Sequence, residues 1–424
     1  MKVLIKQAKV QDNASRYHDK TVDILIEDGI IIAIEPVLAL ACDALIEADE
    51  LHVSTGWIDL KADLGEPGSE FKETLVSGAA AAEKGGFTHV CVMPSTNPPV
   101  DNKAQIEFIK NRLQYAVVEL HPTGCLSANL EGKNLSEMYD MYLSGAVLFT
   151  DDERHVSTGL LYRALLYSKN FNGKIAVSLG DPYLAKGGLV NDGLASTSTG
   201  LKGHPSIAEI IDIERNMRLL AYTESSLHLS GISTAEGVAL IQRAKAEGLK
   251  ISADVHANHL IFNEEDVLGF DSQFKVLPPY RSESDRKALW RGIIDGTLDA
   301  IVTNHRPAHQ DEKEVEFDFA AFGNIGLETC FASLASCREF SLPEVLKALT
   351  TGPAEIIGLK RPKIDIGEAA DLTLFNLTES TSFEKDHLES LSFNTPFLNK
   401  TLPAKIIGVI NRGRLALTKF DEHA

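Results

Sequence analysis

From residue 53 to about residue 305, short apolar runs alternate with segments in which apolar residues recur at i, i+3, i+4 and i+7. The first pattern predicts buried strands and the second amphipathic helices. Eight runs carry the strand signal: VSTGWIDL (53–60), HVCVMP (89–94), VVELHPTGC (117–125), AVLFTDD (146–152), KIAVSLG (174–180), SLHLSG (226–231), KISADVHA (250–257) and AIVTNH (300–305). Helical segments such as KETLVSGAAAAEKGG, NKAQIEFIKNRLQ and TAEGVALIQRAKAEGL lie between them, the last with Ser233 and Glu236 at capping-box spacing. Eightfold alternation of strand and helix predicts an α/β chain folded as a (β/α)8 TIM barrel over residues 53–361, with its chemistry at the carboxyl ends of the strands.

The flanks have another rhythm. KVLIKQAKV, TVDILIEDG and IIIAIEP within residues 1–52, and AADLTLFNL and AKIIGVINRGRLAL within 362–424, are strand-like runs broken by Asp-Gly and Pro. Chain ends commonly lie close together, so residues 1–52 plus 362–424 are expected to pair into a small β-sandwich with a structural role.

Composition narrows the partners. A formal charge of −19, from 60 acidic against 41 basic side chains, repels phosphate backbones and anionic lipid, so neither nucleic acid nor membrane is expected as a partner. The N-terminal MKVLIKQAKVQDNAS has only a short apolar run, and no stretch nears the roughly 20 apolar residues that span a bilayer. A cytoplasmic location is expected. The five cysteines form no CxxC pair and mostly sit in apolar patterns, as free thiols in a reducing compartment do.

The chemistry is sought at GWIDLKADLGEPG, residues 56–68, where a strand pattern runs into a Gly/Pro loop. Alternation places Asp59, Lys61 and Asp63 on one face. Two histidines so spaced would present two imidazoles to one metal; a lysine ammonium has no lone pair to offer.

GWIDLKADLGEPGSEFKET resembles the signature of the dihydroorotases, cyclic amidohydrolases that close and open dihydroorotate in pyrimidine synthesis, which read approximately IDxHxHLREPG at this point. VMPSTNPPVDN, FTDD, GDPYLAKGGLVNDG, STAEGVALIQRAKAEGLKISADV, KVLPPYRSESDRKALWRGIIDGTLDAIVTNHRPAHQDEK, FGNIGLET and GEAADLTLF extend the resemblance from about residue 50 to 376. It implies one or two zinc ions held by two His on the first strand, Asp on the fourth, His on the fifth and sixth, and Asp on the eighth. Those places hold Lys61, Asp63, Asp151, Ser178, Gly231 and Asn304; Asp151 alone is unchanged.

Asp63 and Asp151 could give oxygens to a metal, whereas Ser178 is a poor ligand and Gly231 has no side chain. No cofactor is therefore expected, zinc only if the centre has been rebuilt. Asn304 stands where the family's aspartate shuttles a proton, and a carboxamide is neither acid nor base near neutral pH. The substrate-recognition positions implied by the resemblance are also changed, to Gly65 for the carboxylate-binding arginine, and to Ser95, Leu277 and Ala308. For Lys61 two readings stand: a snorkelling side chain, or an ammonium that fills the space of the missing metal and neutralises Asp63 and Asp151. His228, His256, His259, His305 and His309 are read as core or surface side chains without a ligand role, His228 on the face opposite Gly231. GDPYLAKGGLVNDG and DEKEVEF resemble the family's lid segments but, with Gly180 at a position usually held by Glu, are read as surface loops.

The resemblance then implies a dihydroorotase-like protein without catalytic activity, acting as a scaffold or partner subunit, with aspartate transcarbamoylase or a second copy of itself as the partner. The alternative is an active zinc-dependent dihydroorotase, or another cyclic amidohydrolase with a remodelled centre.

Overall fold

A computed structural model describes residues 1–418. Its eight central strands are Trp57–Ala62, Phe87–Val92, Glu119–Gly124, Leu148–Phe149, Ala176–Ser178, Ser226–Ser230, Lys250–His256 and Ala300–Val302. Hydrogen-bonded neighbours run parallel within two sets of four. Parallel bridges from Phe149 to Ile175 and from Ala62 to His305 join the sets at both seams, closing the barrel. The expected (β/α)8 architecture is present, and each strand falls within or beside the run that predicted it.

Helix boundaries follow local chemistry. Thr74 caps Leu75–Lys84, accepting from the Ser77 N–H while the Ser77 hydroxyl accepts from the Thr74 N–H. The helix Ala235–Ala246 is capped by Thr234, which accepts from the Gly237 N–H, and not by Ser233 as the spacing suggested. Ser233 is drawn away because its N–H and hydroxyl both donate to the buried carboxylate of Glu209. A charged acceptor inside the fold outcompetes a local capping bond.

The flanks form the expected β-domain: seven strands along one hydrogen-bonded path and an eighth, Ala44–Ile46, paired off it with Lys2–Gln11, around a core that includes Val3, Ile5, Ile24, Val53, Leu374 and Ile407. One boundary moves. His52–Thr55, the first half of the first apolar run, pairs parallel with Lys2–Gln11 and antiparallel with Leu372–Ser382, so the barrel begins after Gly56. Trp57 then locks the two parts together, its indole N–H donating to Ser54 Oγ at 2.9 Å and its ring tilted against Phe331 and Phe375. Residues 388–398 of the C-terminal flank leave the sandwich and run along the barrel rim, where Ser390 bonds Glu73 and Asn394 bonds the loop after the eighth strand. Residues 419–424, assigned to the sandwich from sequence, lie outside the described residues.

Candidate functional site at the barrel mouth

The carboxyl ends of the strands hold a network of charges. Asp59 ties the first strand to the eighth, accepting from the Thr303 N–H at 2.9 Å and the Thr303 hydroxyl at 2.6 Å. The strand ends at Ala62, so Asp63 lies in the following loop rather than in strict alternation with Asp59 and Lys61. Asp63 Oδ1 accepts from the Gly65 N–H at 3.0 Å. Burial pushes its carboxyl above the usual range, against the pull of the nearby Arg306 charge.

Lys61 is buried and crosses the mouth. Its ammonium donates to Ser178 Oγ at 3.3 Å and Ser230 Oγ at 3.4 Å, at the ends of the fifth and sixth strands. It makes no ion pair with Asp63 or Asp151 among the described residues, which corrects the expectation that it would neutralise both. Asp151 faces another way: it accepts from the Leu126 and Ser127 N–H groups at 2.9 and 2.8 Å and from the Ser127 hydroxyl. Burial still lifts its carboxyl.

The pairing cation is Arg306, two residues after Asn304. Its guanidinium donates to Asp152, and its Nε lies 2.9 Å from Glu153 in an ion-pair contact without hydrogen-bond alignment. Asp152 also accepts from Ser95 Oγ at 2.6 Å. Burial would raise the Asp152 carboxyl, but the Arg306 and Lys61 charges outweigh it and hold it low. Glu153 is lifted, first by burial and then by repulsion from Asp152. Sequence reading missed Arg306, Asp152 and Glu153; the available signal was an arginine two residues after Asn304 in the loop after the eighth strand, with Asp152 and Glu153 following Asp151 at the end of the fourth.

Gly231 has φ +80°, and a β-carbon there would stand 2.8 Å from His256 Nε2. The seventh-strand His256 thus fills the volume beside the sixth-strand ligand position. It is fully enclosed, held neutral by burial and then by the charge of Lys61, and neither ring nitrogen has a hydrogen-bond partner. Asn304 Oδ1 is likewise buried without a partner. Gly65, at φ +65°, has no room for a side chain: a β-carbon would meet the Glu73 carbonyl oxygen at 2.6 Å. Ala308 is buried, its N–H donating to Asn394, and Leu277 precedes a cis proline on the rim.

The other histidines have internal partners. His228 shares a strand face with Ser230, and both line the barrel interior. Its Nε2 lies 2.8 Å from Asp254 and its Nδ1 2.9 Å from Ser252. His259 donates to the Pro278 carbonyl, His305 pairs with Glu73, and the exposed His309 caps the short helix Gln310–Lys313.

A catalytic zinc requires three or more lone pairs converging at about 2.0–2.3 Å. The mouth offers instead two cations, three lifted carboxyls on Asp63, Asp151 and Glu153, and the unpartnered imidazole of His256. A divalent ion would be repelled by Lys61 and Arg306, so these residues do not fit the family's metal. The cavity lined by Lys61, Ser178, His228 and Ser230 has a volume of about 10 Å³, room for about one water molecule and far below the roughly 300 Å³ at which small-molecule sites begin.

Comparison with known proteins places this geometry in a lineage. A family model described as Dihydro-orotase-like matches residues 52–237, and one described as Amidohydrolase family matches residues 184–416. A dihydroorotase of Ruminiclostridium cellulolyticum is 38% identical over 94% of both chains, and one of Caldicellulosiruptor saccharolyticus is 37% identical over 97% of this chain and 98% of its own. Among solved structures, the L-hydantoinase (dihydropyrimidinase) of Arthrobacter aurescens superposes with a TM-score of 0.86 at 22% identity, covering 99% of this chain and 96% of that one. That likeness shows the barrel-plus-sandwich fold, and among the described residues no helix is long and apolar enough to cross a membrane. With full-length dihydroorotase relatives above 35% identity, the chain belongs to the dihydroorotase-like family of amidohydrolases.

Proposed function

We propose that this family member does not carry out metal-dependent ring opening at its barrel mouth and serves as a structural subunit. The observation that carries the reading is the Arg306–Asp152 ion pair, with Lys61 beside it, in the space the family gives to its metal. Such a plug pairs Asp152 and Glu153 with a resident cation, and Gly65 leaves no anchor for a substrate carboxylate. Aspartate transcarbamoylase, or a second copy of the chain, is the partner the family resemblance suggests.

A second reading, an amidohydrolase with a remodelled centre, is favoured by the name dihydroorotase on relatives up to 38% identical and by the unpartnered His256. One experiment separates the two. The purified full-length chain is assayed for dihydroorotate hydrolysis with and without added Zn2+, and run by size exclusion with aspartate transcarbamoylase from the same source. The structural reading expects no rate above the blank and co-elution. Turnover that Asp63→Asn or His256→Ala abolishes would establish the second reading.

A further inference from the structure

We propose that His89, His121 and Glu119 form a binding site for one divalent transition-metal ion of the zinc class at the floor of the barrel, at the end opposite the mouth. The second and third strands pair in parallel with His89 opposite Glu119 and Cys91 opposite His121, so alternation brings the three side chains to one face near the strand starts. Met93, four residues along from His89, lines the barrel interior, so that face looks inward.

The donors already converge. His89 Nδ1 lies 3.0 Å from His121 Nε2 and 3.9 Å from Glu119 Oε2, and all three donor atoms lie within 4.8 Å of one another. Two ligands of a tetrahedral zinc with bonds of about 2.0–2.1 Å stand roughly 3.3–3.4 Å apart, so the two imidazoles would open slightly and the half-exposed Glu119 carboxylate would swing inward by about half an ångström or more to close the set. The other ring nitrogen of His89 lies 3.1 Å from Asp371 Oδ2, at the start of a sandwich strand. An N–H directed at a carboxylate fixes the tautomer and leaves the Nδ1 lone pair aimed at the ion, as in the outer shells of known zinc sites. His121 is buried beside His89, its Nε2 facing the same point as His89 Nδ1. The Glu119 side chain is 42% exposed, which gives an ion a way in and leaves a fourth position to water. Arg412, whose charge reaches His121, is an opposing group this arrangement must outweigh. The ion would be structural, joining two barrel strands to the sandwich through Asp371, and it goes beyond the reading of the mouth.

The test titrates the full-length chain with Zn2+ by calorimetry and with Co2+ by visible absorption. One equivalent is expected, with a tetrahedral cobalt spectrum and a raised melting temperature on adding zinc. His121→Gln and Glu119→Gln should abolish uptake, and Asp371→Asn should weaken it roughly 10–100-fold. Asp63→Asn and Asp151→Asn at the mouth should leave it unchanged. Glu119 is partly exposed, so its variant keeps the test valid if His121→Gln fails to fold. No saturable uptake, uptake that survives Glu119→Gln, or uptake lost with the mouth variants would each overturn the proposal; the last would also count against the plugged-mouth reading, which the floor variants leave untouched.

Discussion

Arg306 and Asp152, 154 positions apart in the chain, pair their charges inside the barrel mouth, and the carboxylate takes a second hydrogen bond of 2.6 Å from Ser95. The pair depends on the C-terminal flank: Asn394 holds the Arg306 carbonyl at 2.9 Å and the Ala308 N–H at 3.0 Å, fixing the loop that carries the guanidinium.

Removing the cation should therefore be costly. Arg306→Met leaves Asp152, Glu153 and Asp63 buried together without their main counter-charge, and breaking such a pair costs about 3–5 kcal/mol. Urea unfolding of Arg306→Met, Asp152→Asn and the double variant should show the double variant more stable than the sum of single losses implies. A loss below about 1 kcal/mol for Arg306→Met would place the pair in the class of solvated surface bridges.

Gly231 and His256 should be coupled. Gly231→Ala places a β-carbon against His256 Nε2 at a positive φ, and a loss of about 1–3 kcal/mol is expected. Adding His256→Ala removes the steric part and leaves the backbone part, so the double variant should recover some of the loss. Strictly additive effects in thermal melts would mean the imidazole moves aside freely.

Acid should weaken the sandwich through Asp23. Burial raises this carboxyl, but bonds from Lys6 Nζ at 2.6 Å, from the Leu38 and Gln7 N–H groups and from the Gln7 amide outweigh it and bring its pKa to about 2. Because the folded value lies below the unfolded one, the stabilisation is full above about pH 4 and is lost as pH falls toward 2. The stability gap between wild type and Asp23→Asn should shrink across that window. A gap that stays constant from pH 5 to about 2 would show that the carboxylate charge contributes nothing.

Thiol chemistry should track burial. Cys91, Cys125 and Cys330 are enclosed and burial pushes their thiols up, Cys337 is raised to about 11, and Cys42 is half-buried in the sandwich. A thiol reagent should label Cys42 first in the folded protein and all five cysteines after unfolding, and the melting temperature should not change with reductant. Rapid labelling of Cys125 at the mouth would point to opening motions there.

The order of strands and helices was legible in the chain because alternation of apolar runs with 3.6-period segments depends on neighbours a few positions apart. The donor chemistry of Lys61, Ser178, Gly231 and Asn304 was legible too, since it belongs to the residue type. The boundary at Gly56 was not: His52–Thr55 and Trp57–Ala62 form one apolar run, and only the competition between sandwich and barrel partners divides it. Ser233 gave way as a cap for a similar reason, because Glu209 reaches it from a preceding helix.

The sequence by itself determined the barrel, its β flanks and the family. Tertiary structure decided where the remaining charges went: that Lys61 bonds two serines, that Arg306 rather than Lys61 pairs with the acids, and that His89 meets Asp371 282 positions away. Local patterns set which face a side chain takes, but which charge it meets there depends on register between strands and on loops returning from distant parts of the chain, and Coulomb energy falls away within a few ångströms of water-facing surface.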